Sequence, residues 1–302
     1  MSAFIAEYRE RFGVEPVCRT LGVSASAYYE RATGRRSARA LEDERLLARI
    51  CEVHDANYLA YGSHRMWKAL LRAGETVGRD RVARLMHQHG IQGAKRRGKP
   101  WRTTKADPLA RRSPDLVERE FEAAGPDQLW FADFTYLRCW EGLVFFSFVI
   151  DAHSRRIVGW QFAPHMRTTL VLDALRMALH QRQPGADVEL VHHSDAGSQY
   201  TSIDYTQTLN DAGVLGSIGT VGDAYDNAVA ESFVDSFKTE PIADRVWATR
   251  SQLELAVVEY VAWFNNDRLH ETLDDRPPRE LEELYAAKTR PTTPITSMLE
   301  TN

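Results

Sequence analysis

The sequence predicts an α/β protein in which a helical region precedes a mixed five-stranded sheet flanked by helices. Apolar residues recur at helical spacing through the first 93 residues. Three strand-like segments then follow one another without an intervening helix, at residues 129–139, 143–150 and 156–162. After them, helical and strand-like segments alternate, at residues 168–181, 188–192, 203–210 and 214–219. Meandering strands followed by such alternation are typical of a sheet of mixed direction.

Length and composition exclude several classes of protein. A chain of 302 residues with 43% hydrophobic and 26% charged residues suits two or three domains with sizeable cores. No apolar run reaches the roughly 18 residues of a membrane span, and the first residues lack the apolar segment of a signal peptide. Three cysteines without a Cys-x-x-Cys pair argue against a disulfide scaffold or a cysteine zinc site. We therefore expect a cytoplasmic protein without a membrane partner.

The net charge of −4 conceals an uneven distribution. Residues 1–112 hold 23 Lys and Arg against 12 Asp and Glu, whereas residues 113–302 hold 15 against 30. Such an asymmetry is typical of a polyanion-binding arm on a differently charged body. Solvated basic helices would give the same totals, so charge alone leaves both interpretations open.

Residues 1–57 are predicted to form an N-terminal helical region. Within it, a Gly-Val-Ser turn separates two helices, and Ser24 can cap the second of them. This arrangement has the shape of a helix-turn-helix, although any helical hairpin with a glycine turn shares it.

Residues 58–93 are predicted to form a helical, helix-turn-helix-like DNA-binding domain. The segment Tyr61-Gly62-Ser63 can cap its first helix, and its second helix has an apolar stripe. Three arginines lie off that stripe: Arg79, Arg81 and Arg84. An arginine face on a helix after a short turn is the form of a recognition helix, and a plain amphipathic helix is the alternative.

Residues 94–118 are predicted to be a basic linker. Prolines oppose regular structure there, and like charges repel one another, so we expect an extended segment that contacts DNA phosphates. Its predicted DNA-binding residues are Lys95, Arg96, Arg97, Lys99 and Arg102.

Residues 119–290 are predicted to be the α/β core with its C-terminal helices, and residues 291–302 a flexible tail. A helix at 226–239 follows the last strand. A long helix is predicted to begin at Ser251, because Ser251 and Glu254 match a capping box, and to end before Pro277.

Three acids of the core stand in unusual places. Asp133 lies within a strand, Asp195 follows a strand, and Glu231 lies on a helix. A buried strand carboxylate needs compensation, and a metal ion is one way to supply it. Carboxylates from two strands and one helix suit two-metal phosphoryl transfer, because Mg²⁺ takes oxygen ligands. Three unrelated acids remain the alternative, whereas zinc and a Ser-His-Asp hydrolase lack the necessary residues.

The motifs around these acids closely resemble those of retroviral-integrase-like (DDE) transposases of bacterial insertion sequences. More narrowly, they are similar to the second-reading-frame (orfB) product of the class that fuses two frames by frameshifting. The matching C-terminal motif has Phe264 where the family has a tyrosine. The motifs are Trp130-x-x-Asp133-x-Thr135-Tyr136, His193-Ser194-Asp195-x-Gly197-x-Gln199-Tyr200, Tyr225-Asp226-Asn227-Ala228-x-x-Glu231-Ser232-Phe233 and Phe264-Asn265-Asn266-x-Arg268-x-His270.

The resemblance implies an RNase H-like integrase catalytic core in which Asp133, Asp195 and Glu231 bind two Mg²⁺ ions, for which Mn²⁺ can substitute. It implies cleavage at an element end and attack of the freed 3′-hydroxyl on another phosphodiester. Lys238 would contact the DNA terminus. Asn227 would orient Glu231, or only cap its helix, and His193 would support the acids or only pack.

The implied partners are DNA, as terminal inverted repeats and target, a first-frame (orfA) protein or fusion segment, and further copies of the chain. The implied location is the bacterial nucleoid. Two other interpretations stay open from the residues: a DNA-binding regulator with an inactive core, and an RNase H-like nuclease without strand transfer.

Overall fold

The computed structural model describes residues 1–32, 36–95, 117, 123–185, 189–219, 228–242 and 245–289. These residues form two compact units: residues 1–57 with 61–92, and residues 58–60 with 93–302. The two predicted N-terminal regions thus contribute to the same unit. Several residues with predicted roles lie outside the described residues: Arg96, Arg97, Lys99, Arg102, Asn227 and the tail at 291–302.

The first unit is helical, as predicted. Its core contains fully buried apolar side chains such as Ile50, Met66 and Val82. Across the described residues of the whole chain, no helix has the length and apolar character needed to cross a membrane. The helices are α1 (Ser2–Phe12), α2 (Val14–Thr20), α3 (Ala25–Ala32), α4 (Ala38–Ala56), α5 (Ser63–Arg72) and α6 (Arg79–Gln88).

The predicted caps in this unit have different outcomes. Ser24 Oγ accepts a hydrogen bond of 3.4 Å from the N–H of Ala27, so its predicted capping of α3 is confirmed. Within the predicted capping segment Tyr61-Gly62-Ser63, Gly62 is the N-cap of α5 and Ser63 is already helical. Gly62 has an extended backbone and no side chain, so it contributes no capping hydrogen bond.

The second unit is built on a mixed five-stranded sheet in the order β3-β2-β1-β4-β5. β1 pairs antiparallel with β2, and β2 with β3, whereas β1 with β4 and β4 with β5 are parallel. The predicted strands are confirmed, with ends shifted by three residues or fewer. The strands are β1 (Leu129–Cys139), β2 (Gly142–Asp151), β3 (Ile157–Ala163), β4 (Val191–Ser194) and β5 (Leu215–Ile218).

Helices cover both faces of this sheet. On one face, Trp130, Ala132 and Val149 pack with apolar residues of α7 and α8. On the other face, Phe148 contacts Phe233 of α9 at a ring-centroid distance of 4.5 Å. The helices are α7 (Thr168–Arg182), α8 (Ile203–Asp211), α9 (Ala228–Phe237), α10 (Arg250–Asn266) and α11 (Pro278–Thr289). A π-helical segment, Lys238–Ile242, continues α9.

The start of α10 differs from the prediction. Thr249, not Ser251, is the N-cap, and its hydroxyl accepts a hydrogen bond of 3.2 Å from the N–H of Gln252. Ser251 therefore lies in the first turn of the helix. The helix ends at Asn266, before Pro277 as predicted.

Candidate active site

Adjacent parallel strands bring the first two acids together. Ala132 of β1 pairs in register with Ser194 of β4, and Asp133 and Asp195 each follow one of these residues. Neighbouring strands lie about 4.8 Å apart, so the two acids arise from adjacent backbone positions. Asp133 Oδ1 also accepts a hydrogen bond of 2.7 Å from the N–H of Phe134.

The third acid comes from the helix above the same sheet face. Asp133 pairs across β1 and β2 with Phe148, and Phe148 contacts Phe233 of α9. Glu231 lies two residues before Phe233, in the first turn of α9, and its side chain is exposed. The aromatic packing beneath α9 thus holds the helix that carries Glu231 over the strand that carries Asp133.

The three acids interact electrostatically. Burial and, after it, the negative charges of Asp195 and Glu231 together raise the pKa of Asp133 to about 8, against the lowering effects of the Phe134 N–H and of Lys238. Burial and the charge of Asp195 also raise the pKa of Glu231. The site therefore carries more negative charge than its surroundings compensate, and a cation would relieve it.

The donor set fits a hard divalent cation in its chemistry. Carboxylate oxygens are the ligands that Mg²⁺ prefers, and their mutual repulsion here favours a bound cation. Within the part of the chain that the structure describes, no three His, Cys, Asp or Glu side chains form a ready-made metal site. The structure thus brings the acids into electrostatic contact without arranging them as a completed ligand set.

Lys238 lies beside these acids. It is the first residue of the π-helical segment after α9, and its Nζ lies 4.9 Å from the centre of the Tyr136 ring. Burial lowers the pKa of Lys238, whereas the charges of Asp133 and Asp235 act in the opposite direction. Its predicted contact with a DNA terminus stays a prediction.

The two histidines before Asp195 are buried. His193 Nδ1 lies 2.9 Å from Ser217 Oγ, and its ring contacts Phe131 edge-on. His193 is predicted either to support the acids or only to pack, and these contacts are those of a packed side chain. His192 Nε2 lies 3.0 Å from the hydroxyl of Tyr205, and burial lowers the pKa of His192 to about 4.

Sequence reasoning missed a buried polar cluster under the end of α9. Arg268 Nη2 donates to Glu240 Oε1 at 2.6 Å, and the Tyr260 hydroxyl donates to Glu240 Oε2 at 2.7 Å. The Arg268 guanidinium also lies 5.3 Å from the ring centre of Phe264. The C-terminal motif contains Phe264 and Arg268, but nothing in the sequence marks Glu240 as their partner.

The predicted DNA-binding arginines of α6 are not equivalent. Arg81 and Arg84 both form ion pairs with Asp43 of α4, at 2.7 and 2.8 Å. Arg79 lies 3.3 Å from Asp80, and its side chain is 63% exposed. Lys95 is exposed as well. The described protein thus holds two of the three arginines in an internal contact.

Comparisons with known proteins agree with these features. An HTH-like domain family matches residues 41–99, and two integrase core domain families match residues 123–224 and 212–278. These core matches and the observed sheet confirm the predicted RNase H-like integrase core.

Two relatives of similar length are named as a transposase and a putative transposase. The transposase for insertion sequence element IS629 of Shigella sonnei is 45% identical over 292 residues, which cover 95% of this chain and 97% of the relative. The putative transposase for IS986/IS6110 of Mycobacterium tuberculosis is 43% identical over 270 residues, covering 88% of this chain and 97% of the relative.

A similar solved chain belongs to the simian T-cell lymphotropic virus intasome in complex with PP2A regulatory subunit B56 gamma. It is 12% identical, with a TM-score of 0.46, over 84% of this chain and 80% of that chain. At this score the likeness carries no functional inference.

Proposed function

The chain belongs to the insertion-sequence transposases, and we propose that Asp133, Asp195 and Glu231 are the acids with which it cleaves DNA at element ends and transfers the freed strand. One observation carries this proposal: β1, the end of β4 and α9 bring the three acids into electrostatic contact. In addition to burial, the charges of Asp195 and Glu231 raise the pKa of Asp133, and the charge of Asp195 raises that of Glu231. Repulsion between these carboxylates is unfavourable in the folded protein, and clustered groups with such shifted pKa values are typical of functional sites.

The three carboxylates would hold two Mg²⁺ ions, for which Mn²⁺ can substitute. When bound, these ions would supply an activated oxygen nucleophile and a Lewis acid for the leaving oxygen. Asp133 lies on the central strand and is fixed by its hydrogen bond to the N–H of Phe134. Glu231 lies on a helix that aromatic packing holds in place, so the acids are supported by rigid elements.

Two phosphoryl transfers follow from this arrangement. In the first, water attacks a phosphodiester at the element end, the bond from phosphorus to the 3′ oxygen breaks, and that oxygen leaves as a 3′-hydroxyl. In the second, this hydroxyl attacks the phosphorus of another phosphodiester, the bond from that phosphorus to its own 3′ oxygen breaks, and the displaced oxygen leaves as a new 3′-hydroxyl while the attacking strand is joined. Lys238, beside Asp133, would contact the DNA terminus and offset phosphate charge.

The rest of the chain would bind and position DNA. The arginine face of α6, with Arg79 the most exposed, would contact the element end, and the basic residues from Lys95 to Arg102 would contact phosphates. A first-frame protein or fusion segment would add recognition of the terminal repeat. Two element ends must be joined in one reaction, so we also propose that the chain acts as an oligomer on DNA.

Nicking of supercoiled plasmid in Mg²⁺ or Mn²⁺ tests the catalytic assignment. We expect Glu231→Gln to abolish nicking while DNA affinity changes by less than about twofold, because Gln keeps the shape but loses the charge. The matched control is Asp235→Asn, which removes an exposed acid one turn further along α9 and should keep nicking. Equal activity of Glu231→Gln and the unaltered protein would refute the assignment.

Thermal unfolding with and without Mg²⁺ tests the metal set independently of cleavage. Binding to the folded state raises the Tm. We expect Mg²⁺ to raise the Tm of the unaltered protein and to leave that of Asp133→Asn unchanged. An equal Mg²⁺ effect in both proteins would show that the ion binds elsewhere.

A further inference from the structure

The outer half of β1 forms an uncovered corner of the sheet. β4 pairs only with Leu129–Ala132 of β1, so beyond that point β1 pairs with β2 alone among the described strands. Alternate residues of a strand share a face. We define the hairpin face as five side chains: Tyr136 and Arg138 of β1 with Phe145 and Leu143 opposite them on β2, which this register places together, and Trp140 of the turn that follows β1.

Exposure on the hairpin face rises toward the hairpin tip. Tyr136 and Phe145 are half-buried, Leu143 is 43% exposed, and Trp140 is 79% exposed. A tryptophan is large and mostly apolar, and proteins bury most of its surface unless a partner covers it. The exposed indole therefore points to a binding surface.

The tip that carries Trp140 is held in place. The N–H of Trp140 donates to the carbonyl oxygen of Trp247 at 3.0 Å. Glu141 accepts from the N–H of Arg250 through its carboxylate, and its carbonyl oxygen accepts from the Arg250 guanidinium, both at 2.9 Å. These contacts fix the backbone of the tip, so little backbone freedom is lost when the tip binds a partner.

The charge of the hairpin face favours a polyanion. Its five residues include Arg138 and no acid, and Lys238 places a second cation over the Tyr136 ring. The carboxylate of the neighbouring Glu141 is already engaged by Arg250. Cations interleaved with aromatic rings are the combination that binds single-stranded nucleic acid, with stacking on bases and contacts to phosphates.

The hairpin face and the catalytic acids meet at the edge of β1 beyond its pairing with β4. Asp133 lies on the opposite face of the sheet, because it is an odd number of residues from Tyr136 along β1. Lys238 reaches both faces at this edge: it interacts electrostatically with Asp133, and its Nζ lies 4.9 Å from the centre of the Tyr136 ring. From Tyr136 to Trp140 the strand continues outward by roughly 13 Å, at about 3.3 Å per residue. A DNA strand that enters the site past Lys238 would therefore meet the hairpin face next.

We propose that the hairpin face binds an unpaired stretch of the DNA strand that leads to the catalytic acids. Trp140 and Tyr136 stack on bases, and Arg138 contacts a phosphate. This inference rests on the proposed function, because it takes its ligand from the reaction at the acids. A second copy of the chain is the competing occupant, but a small cationic patch lacks the broad apolar centre of a stable protein interface.

Binding of two fluorescent probes to the full chain tests this proposal: a blunt duplex of mixed sequence, and the same duplex with an unpaired extension. We expect the unaltered protein to prefer the extended duplex. Trp140→Ala should weaken binding of the extended duplex by at least about fivefold and barely affect the blunt one. Trp140→Phe keeps a stacking ring and should stay within about twofold.

Further variants test the contribution of the Arg138 charge and control for the loss of an exposed apolar side chain. Arg138→Ala should reduce the salt dependence of binding by about one counterion, and Arg138→Lys should preserve it. Ile203→Ala removes another exposed apolar side chain, 85% exposed at the start of α8, and should leave binding unchanged. All variants alter exposed side chains, and thermal unfolding checks that each is folded.

Three results would overturn the proposal. The first is no preference of the unaltered protein for the extended duplex, and the second is equal binding of that duplex by Trp140→Ala and the unaltered protein. The third is a Trp140→Ala protein that loses self-association but keeps its DNA affinity. Analytical ultracentrifugation detects the last result, which would identify a protein interface. The assay measures binding and is repeated in Glu231→Gln. Failure of the catalytic assignment in the nicking assay is therefore distinguishable from failure of the hairpin face.

Discussion

Arg268 and Glu240 form a buried ion pair, with Nη2 and Oε1 2.6 Å apart and each side chain 5% exposed. The hydroxyl of Tyr260 donates a further hydrogen bond to Glu240. Glu240 lies in the π-helical segment that begins with Lys238 and continues α9. The pair therefore ties the end of the Glu231 helix, and Lys238 with it, to the C-terminal part of the chain.

We expect Arg268→Ala to lower the free energy of unfolding by about 3–5 kcal/mol, because it leaves Glu240 buried without its cation. Urea unfolding measures this change. Arg268→Met combined with Glu240→Gln removes both charges and should recover a large part of the loss.

The matched control for Arg268 is Arg279→Ala. Arg279 pairs with Glu283 at 2.9 Å, but these side chains are 60% and 64% exposed, so the loss should stay below about 1 kcal/mol. Equal losses for the two arginines would contradict the role assigned to the buried pair.

The buried His192 predicts a loss of stability in mild acid. Burial lowers the pKa of His192 to about 4, whereas an unfolded histidine titrates near 6.5. The neutral ring therefore contributes stability that is present above about pH 6.5 and is lost as the pH falls toward 4. Between pH 7 and pH 5 this residue should cost about 2 kcal/mol.

Urea unfolding of His192→Phe at both pH values measures that contribution. The variant keeps an aromatic ring beside Tyr205 but cannot take up a proton. Its free energy of unfolding should fall less between pH 7 and pH 5 than that of the unaltered protein. The same fall in both proteins would assign the acid sensitivity to other groups.

Gly159 allows α7 to pack closely on β3. A Cβ at this position would lie 2.2 Å from the carbonyl oxygen of Ala174 and 2.7 Å from the nitrogen of Ala178, which are both backbone atoms of α7. We expect Gly159→Ala to lower the free energy of unfolding by about 1–3 kcal/mol, since the helix must move away.

Thermal unfolding checks this prediction for Gly159. Gly185→Ala is the control, because an added Cβ there meets no heavy atom within 4 Å and the backbone φ is not positive. A stable Gly159→Ala protein would mean that α7 shifts freely over the sheet.

Asp43 forms ion pairs with two arginines of α6 that are predicted from the sequence to bind DNA. We expect Asp43→Asn to strengthen DNA binding by roughly threefold at low salt, with a smaller gain at high salt, because it frees Arg81 and Arg84 for phosphates. Fluorescence anisotropy with a mixed-sequence duplex measures the affinity.

Glu44→Gln removes the same charge from the same helix and serves as the control for Asp43. Glu44 pairs with Arg36 and not with an arginine of α6. If both variants bind more tightly to the same extent, net charge alone explains the gain and α6 is not the DNA-binding helix.

The sheet and the order of the acids could be predicted because their signals are local. Alternating and continuous apolar runs mark strands, and the bounds predicted for β1 are those observed. Asp133 lies within such a run and Asp195 follows one, so both acids could be placed within or at the end of strands of the sheet. The sheet order itself depends on β1 pairing with β4, which no local pattern encodes.

Two kinds of feature could not be predicted. Partners distant in sequence, such as Glu240 for Arg268 and Asp43 for Arg84, leave no periodic trace in a single chain. Competing local patterns also mislead: Ser251 fits a capping box, but Thr249 already accepts from the N–H of Gln252. Charged residues are therefore the hardest to assign, because a partner decides whether they are available to bind.

The position of Arg268 near the C-terminal end of the core has a consequence for protein synthesis. Within the α/β core, the β1–β2–β3 meander leaves the ribosome first and forms from local contacts, whereas β4, α9 and Arg268 follow later. A ribosome-bound or prematurely terminated chain therefore carries Asp133 without its companion acids, or α9 without its anchor. We expect such incomplete chains to leave the DNA of their own cell uncut.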